Sequence, residues 1–160
     1  MQNENTQQHG TINEQIIETV ASWPHITAGE GRFNATSFEL VGSWSIAGMP
    51  REIGHLHPRL ADIGYPEALR DQLITDGHTE KHHAVPRHPN ATTFHIESAD
   101  DIDHVVWLFR LSYLARVSTL QKHKETEVKL KDIDVQEELD TLAPSDAVRH
   151  AFETAVGDDS

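Results

Sequence analysis

The chain of 160 residues carries a formal net charge of −13 and no cysteine, which excludes disulfides, thiolate metal sites and a cysteine nucleophile. The charge sits at the ends: residues 1–30 hold net −4, residues 31–124 net −1 and residues 125–160 net −8. With no basic stripe to release counterions, nucleic acid and anionic membranes are excluded as partners, and no apolar run approaches the ~20 residues of a membrane span.

Residues 1–10 are polar, without the basic and apolar stretches of an export signal, so disorder and a cytoplasmic protein are expected. Ile12, Ile16, Ile17 and Val20 recur at helical spacing until Trp23-Pro24 stops the pattern. Gly29-Glu30-Gly31 reads as a turn. Phe38, Leu40, Trp44 and Ile46 share strand parity across a kink at Gly42, and Gly48-Met49-Pro50 turns the chain into a strand over 51–57. Pro58 bars its continuation as a central strand. Pro66 to Asp76 reads as a helix with Leu69 and Leu73 inward and Gly77 as its C-terminal cap.

Two further strands are expected over 82–85 and 92–97, around a loop at 86–90. Ser98-Ala99-Asp100-Asp101 has the pattern of a capping box and opens the longest helix, to Lys122. Its inward stripe is Ile102, Val105, Val106, Phe109, Tyr113 and Val117, with Ser112 read as core packing. Weaker helical patterns cover 132–142 and 145–156, parted by Pro144. Helices with a mostly antiparallel sheet give an α+β fold, a two-layer sandwich with helices packed on one sheet face. The expected organisation is a disordered 1–10, one α+β domain over 11–124, and an acidic helical extension over 125–160. That acidity reads as a solvated flank, with a salt-adapted proteome as the sharper alternative.

The chemistry-bearing residues are histidines, 12 in all against 13 Lys plus Arg. Alternation along a strand puts His55 and His57 on one face, roughly 6.5–7 Å apart along the chain direction. Two readings stay open for such a pair: metal ligands or an acid and base, against hydrogen-bonded polar residues at a sheet rim. A metal site would add one of His82, His83 or His95 to make three imidazoles with an open position, although the spacing matches no strong zinc motif. Arg51-Glu52 reads in the plainest way as an exposed ion pair.

Several blocks carry a resemblance: Ser22-Trp23-Pro24, Arg51-Glu52-Ile53-Gly54-His55-Leu56-His57, Tyr65-Pro66, Leu69-Arg70-Asp71, Gly77, Lys81-His82-His83-Ala84-Val85-Pro86 and Leu108-Phe109-Arg110-Leu111-Ser112-Tyr113. Over residues 23–116 the chain resembles the luciferase-domain family, which contains fungal luciferases and many small bacterial and archaeal proteins. Two departures stand out. The segment from Arg87 to Phe94 has no tryptophan where family members commonly carry one, and the acidic stretch after His123 has no counterpart.

The resemblance implies a pocket for a small aromatic or pyrone-type molecule and oxygenase-like chemistry without a cofactor. A base removes an enolic proton and donors stabilise the anion that meets dioxygen. On that reading His55 or His57 is the base and Arg51 or His83 a charge-stabilising donor. The alternatives are a non-catalytic interaction module and a protein holding a His-bound transition metal; a homo-oligomer is compatible with each.

Overall fold

The computed structural model describes residues 2–31, 34–40, 52–82, 90–122 and 128–157. Helix α1 (Gln2–Ala21) leads into a hairpin of β1 (Ile26–Glu30) and β2 (Thr36–Leu40). A second hairpin joins β3 (Glu52–Leu56) to β4 (Leu60–Gly64), and α2 (Glu67–Thr75), the short β5 (Glu80–Lys81) and β6 (Ala91–His95) follow. A 3-10 turn at Ala99–Asp101 opens α3 (Ile102–Gln121). Helices α4 (Val128–Lys131), α5 (Val135–Leu142) and α6 (Asp146–Gly157) complete the described chain. The six strands form one antiparallel sheet in the order β1-β2-β3-β4-β6-β5, so the fold is α+β.

Register places Phe38, Gly54, Leu56, Ala61 and Ile63 on one sheet face. Helix α3 crosses this face over β3 and β4, while α1 packs beside it on β1 and β2. Phe38 and Phe109 meet edge to face with ring centroids 5.1 Å apart, a geometry that aligns ring edge and ring face charge. Helix α1 contributes Ile12, Ile16 and Val20, four residues apart and all buried. It ends where the sequence predicts, and His25 takes a left-handed conformation (φ 68°) to turn the chain into β1. The Trp23-Pro24 corner docks on α3: Trp23 and Tyr113 rings lie 5.4 Å apart, and the Tyr113 hydroxyl donates to the Pro24 carbonyl at 2.9 Å.

Helix α3 is buried nearly all round, from Val105 to Leu120, where one inward stripe was expected. The reason is on its outer side: α4, α5 and α6 pack against it, with α6 also against α2. Leu139, Val148 and Phe152 therefore join the same apolar cluster as Ile53 and Phe109. The helices of the acidic C-terminal segment share the core of the preceding residues.

The structure moves several other expectations. Helix α1 starts at Gln2, so residues 2–10 are helical where disorder was expected over 1–10. Gln2, Glu4, Gln7 and Gln8 are good helix formers whereas Asn3, Asn5, Thr6, His9 and Gly10 are not, so the helix extends from its anchored Ile12–Val20 stretch against mixed local propensity. Gly29 and Glu30 finish β1 in place of a turn; the hairpin closes afterwards, with the Gly31 amide donating to the Ala35 carbonyl at 2.8 Å. Only Ile26 of β1 is buried, so this edge strand shows no alternation. Pro58 does end β3, but as the corner of a tight hairpin in which the His57 amide donates to the Leu60 carbonyl at 2.8 Å.

The central strand β4 that follows was not expected. The strand near residue 82 is β5, ending at Lys81, and β6 begins one residue earlier than expected. Helix α2 ends as predicted: Gly77 is left-handed (φ 79°), the His78 amide donates to the Leu73 carbonyl and the Gly77 amide to that of Ile74. The Ser98 capping box is formed, with Asp101 accepting from the Glu97 and Ser98 amides. The expected kink at Gly42, the turn at residues 48–50 and the end of the strand at 83–85 lie outside the described residues.

Candidate functional site

The face of the sheet away from α3 carries the site, and it starts with a defect in β3. Phe38 pairs with Gly54 but Glu39 pairs with Glu52, so Ile53 is an extra residue, a β-bulge. In a regular strand Glu52 and His55 would point to opposite faces; the bulge brings them to the same one. The His55 Nδ1 lies 2.8 Å from Glu52 Oε1, and the Ser37 hydroxyl donates to the same oxygen at 3.0 Å. The bulge is held from below by α3. The Ser112 hydroxyl lies 2.6 Å from the Gly64 carbonyl and 3.0 Å from the Ile53 carbonyl, so one proton serves two strands.

Gly54 sets how closely these layers approach. A Cβ there would stand 2.7 Å from the Asp62 carbonyl oxygen, 2.8 Å from the Phe109 ring and 3.2 Å from Ile63 Cα. Its missing side chain lets Phe109 seat against the backbone directly beneath the site. From that point His55 and His57 project to the outer face, their rings 4.9 Å apart and nearly perpendicular at 81°.

Opposite His55 on β4 is Asp62, and opposite Asp62 on β6 is Thr93. Ser37, His55, Asp62, Thr93 and Glu80 thus form one row across five strands. Asp62 is 3% exposed and is the centre of the cluster. Its Oδ2 lies 3.1 Å from His55 Nε2, 3.4 Å from His57 Nε2 and 3.3 Å from His82 Nε2. Its Oδ1 accepts from the Thr93 hydroxyl at 2.7 Å.

The electrostatics follow from this geometry. Burial alone would raise the Asp62 pKa, but hydrogen bonds from His55 and Thr93 and the charges of His82 and His55 outweigh it and hold the carboxyl below the usual range. The hydrogen bond to Asp62, then the one to Glu52, pushes His55 up to about 9 against the lowering effect of burial. Glu52 is lowered, first by its hydrogen bond with His55. At neutral pH His55 is therefore an imidazolium clamped between two carboxylates, with both ring nitrogens occupied. That arrangement suits holding charge; it does not suit accepting a proton.

Of the residues singled out from sequence, His55 and His57 come together at Asp62. The third imidazole is His82; His95 is exposed two positions along β6 from Thr93. Arg51 and His83 lie outside the described residues. Glu52 hydrogen-bonds with His55 and Ser37 while its side chain stays 38% exposed, and the expected ion pair with Arg51 lies outside the described residues. Asp62 was missed altogether. The signal for it was available, since an acidic residue in the middle of Leu60-Ala61-Asp62-Ile63 interrupts an apolar run and must find partners if that run is a strand. Among the described residues, His55, His57 and Asp62 also form a group whose ligating atoms all lie within 4.8 Å of one another.

A family model described as Luciferase domain matches residues 50–112, a span that contains every side chain of the cluster except Ser37. No curated protein and no solved structure matches the chain.

Proposed function

We propose, for a luciferase-like chain whose residues 50–112 match the Luciferase domain model, that the outer sheet face binds a small acidic aromatic or pyrone-type molecule and handles its proton. The observation that carries this reading is the convergence of three imidazoles, within 3.1–3.4 Å, on one oxygen of a buried carboxylate. An interaction face has no need to bury a carboxylate under three histidines, because each such group costs free energy unless fully paired.

The roles divide by environment. His57, 20% exposed and at the end of the strand, is the ring best placed to take a proton from a ligand hydroxyl, with Asp62 orienting it. His55 holds positive charge beside the resulting anion. The electron-rich anion would then react with dioxygen, the oxygenase-like chemistry that the family suggests. Arg51 and His83 are kept as further charge-stabilising donors in this reading.

The test is titration of the purified chain with a hydroxylated pyrone, followed by oxygen-electrode measurement. Binding is expected, weakened in His55→Gln and lost with any oxygen uptake in His57→Gln. A wild-type chain that shows no binding and no oxygen uptake would reject the proposal.

A further inference from the structure

We infer that the same cluster is a site for one divalent transition-metal ion, held by His55 Nε2, His57 Nε2 and Asp62 Oδ2. The inference goes beyond the ligand reading and does not depend on it. The three atoms lie within 4.8 Å of one another, and the two imidazole nitrogens stand 3.1 and 3.4 Å from the carboxylate oxygen. Metal–ligand bonds of about 2.1 Å place neighbouring donors about 3.0 Å apart in an octahedron and about 3.4 Å apart in a tetrahedron. The two nitrogen–oxygen spacings match edges of such a polyhedron, and the nitrogen–nitrogen edge, within 4.8 Å, closes by rotation of the two imidazole side chains.

The remote atoms of two ligands are already engaged, an observation independent of the spacing. Glu52 accepts at His55 Nδ1 at 2.8 Å, which fixes the tautomer that presents a lone pair at Nε2 once the ion replaces the proton there. The Thr93 hydroxyl occupies Asp62 Oδ1 at 2.7 Å and leaves Oδ2 to face the imidazoles. These are the outer partners that orient metal-ligating His and Asp side chains. The ligands sit on paired strands, so their positions are set by the ladder of β3 and β4.

The donor set also specifies the class of ion. Two imidazoles and one carboxylate, with open positions, suit Fe(II), Co(II) or Zn(II) better than the oxygen-seeking Mg(II) or Ca(II). His82 Nε2 lies 3.3 Å from the same Asp62 oxygen but falls outside the group of donors within 4.8 Å of one another, so it is a neighbour of the ion and not a ligand. The remaining positions are left for water or an exogenous oxygen ligand.

The experiment uses the full chain, stripped with EDTA, checked by elemental analysis and titrated with Co(II) or Zn(II) by calorimetry and, for Co(II), visible absorption. One equivalent is expected to bind, with a Co(II) d–d spectrum of nitrogen and oxygen ligation. Glu52→Gln, which touches no metal, should weaken affinity by about 10–100-fold. His57→Gln should weaken it further, whereas His78→Gln and His104→Gln should leave it unchanged. Circular dichroism confirms that each variant is folded; should Asp62→Asn fail to fold, His57→Gln and Glu52→Gln carry the test. Absence of stoichiometric binding, or binding indifferent to both of these variants, would overturn the site. A pyrone titration run on stripped and loaded protein separates this outcome from failure of the ligand reading.

Discussion

Replacing Asp62 by Asn keeps the side-chain shape and removes the charge around which three imidazoles gather. In the metal-free protein His55 is pushed up to about 9, with the hydrogen bond to Asp62 as the leading cause and that to Glu52 second. From the ordinary value near 6.5, at about 1.36 kcal/mol per pH unit, this corresponds to roughly 3 kcal/mol of preference for the imidazolium. The ring is 32% exposed and Glu52 holds part of the effect, so the Asp62 share of stability is about 1–2 kcal/mol.

The pH dependence has a definite sign. A His raised in the folded state contributes stability that is complete below about pH 6.5 and fades as pH climbs through about 9. Asp62 and Glu52, both lowered on folding, contribute stability that is present above about pH 4 and is lost as pH falls further. Urea denaturation with EDTA present should therefore show wild type ahead of Asp62→Asn by about 1–2 kcal/mol near pH 6, the gap closing by about pH 9.5. In the variant the His55 imidazole, followed by NMR, should titrate at least about one unit lower. An equal gap at both pH values, or an unmoved His55 titration, would refute the reasoning.

Gly54→Ala forces a methyl group against two backbone atoms of β4 and the Phe109 ring, none of which is the free end of a flexible chain. Overpacking of this kind costs about 2–3 kcal/mol, or a melting temperature lower by roughly 5–10 °C; a melt within about 1 °C of wild type would contradict the packing described. Phe152→Ala removes a fully buried ring from α6 and should cost about 3–5 kcal/mol in a single cooperative transition. A small loss confined to a separate early transition would show that the C-terminal helices fold apart from the sheet.

The apolar rhythm of the chain predicts α1 from Ile12 onward, α2 with its glycine cap, and the capping box before α3, because each is set by local spacing and local hydrogen bonds. What it conceals depends on partners distant in sequence. Strand β1 lies at a sheet edge and buries one residue of five, so its pattern carries no strand signal. Strand β4 is hidden by Asp62, a residue that belongs in a core only because Thr93 and three histidines surround it. The shared face of His55 and His57 follows from strand alternation alone. Glu52 could not be placed in that way: its membership depends on an extra residue in the ladder between β2 and β3, and no periodicity announces a bulge.

Ser112 shows how the two layers check one another. Its hydroxyl spans carbonyls of β3 and β4, 59 and 48 residues away along the chain. A strand pairing one residue out of step would turn His55 and His57 toward α3 and send Gly54 and Leu56 outward. It would also strand the two carbonyls and the hydroxyl in an apolar layer, at about 1–3 kcal/mol for each unsatisfied group. The helix thus acts as a proofreader of sheet assembly: only the register that builds the histidine–aspartate face lets the layers close.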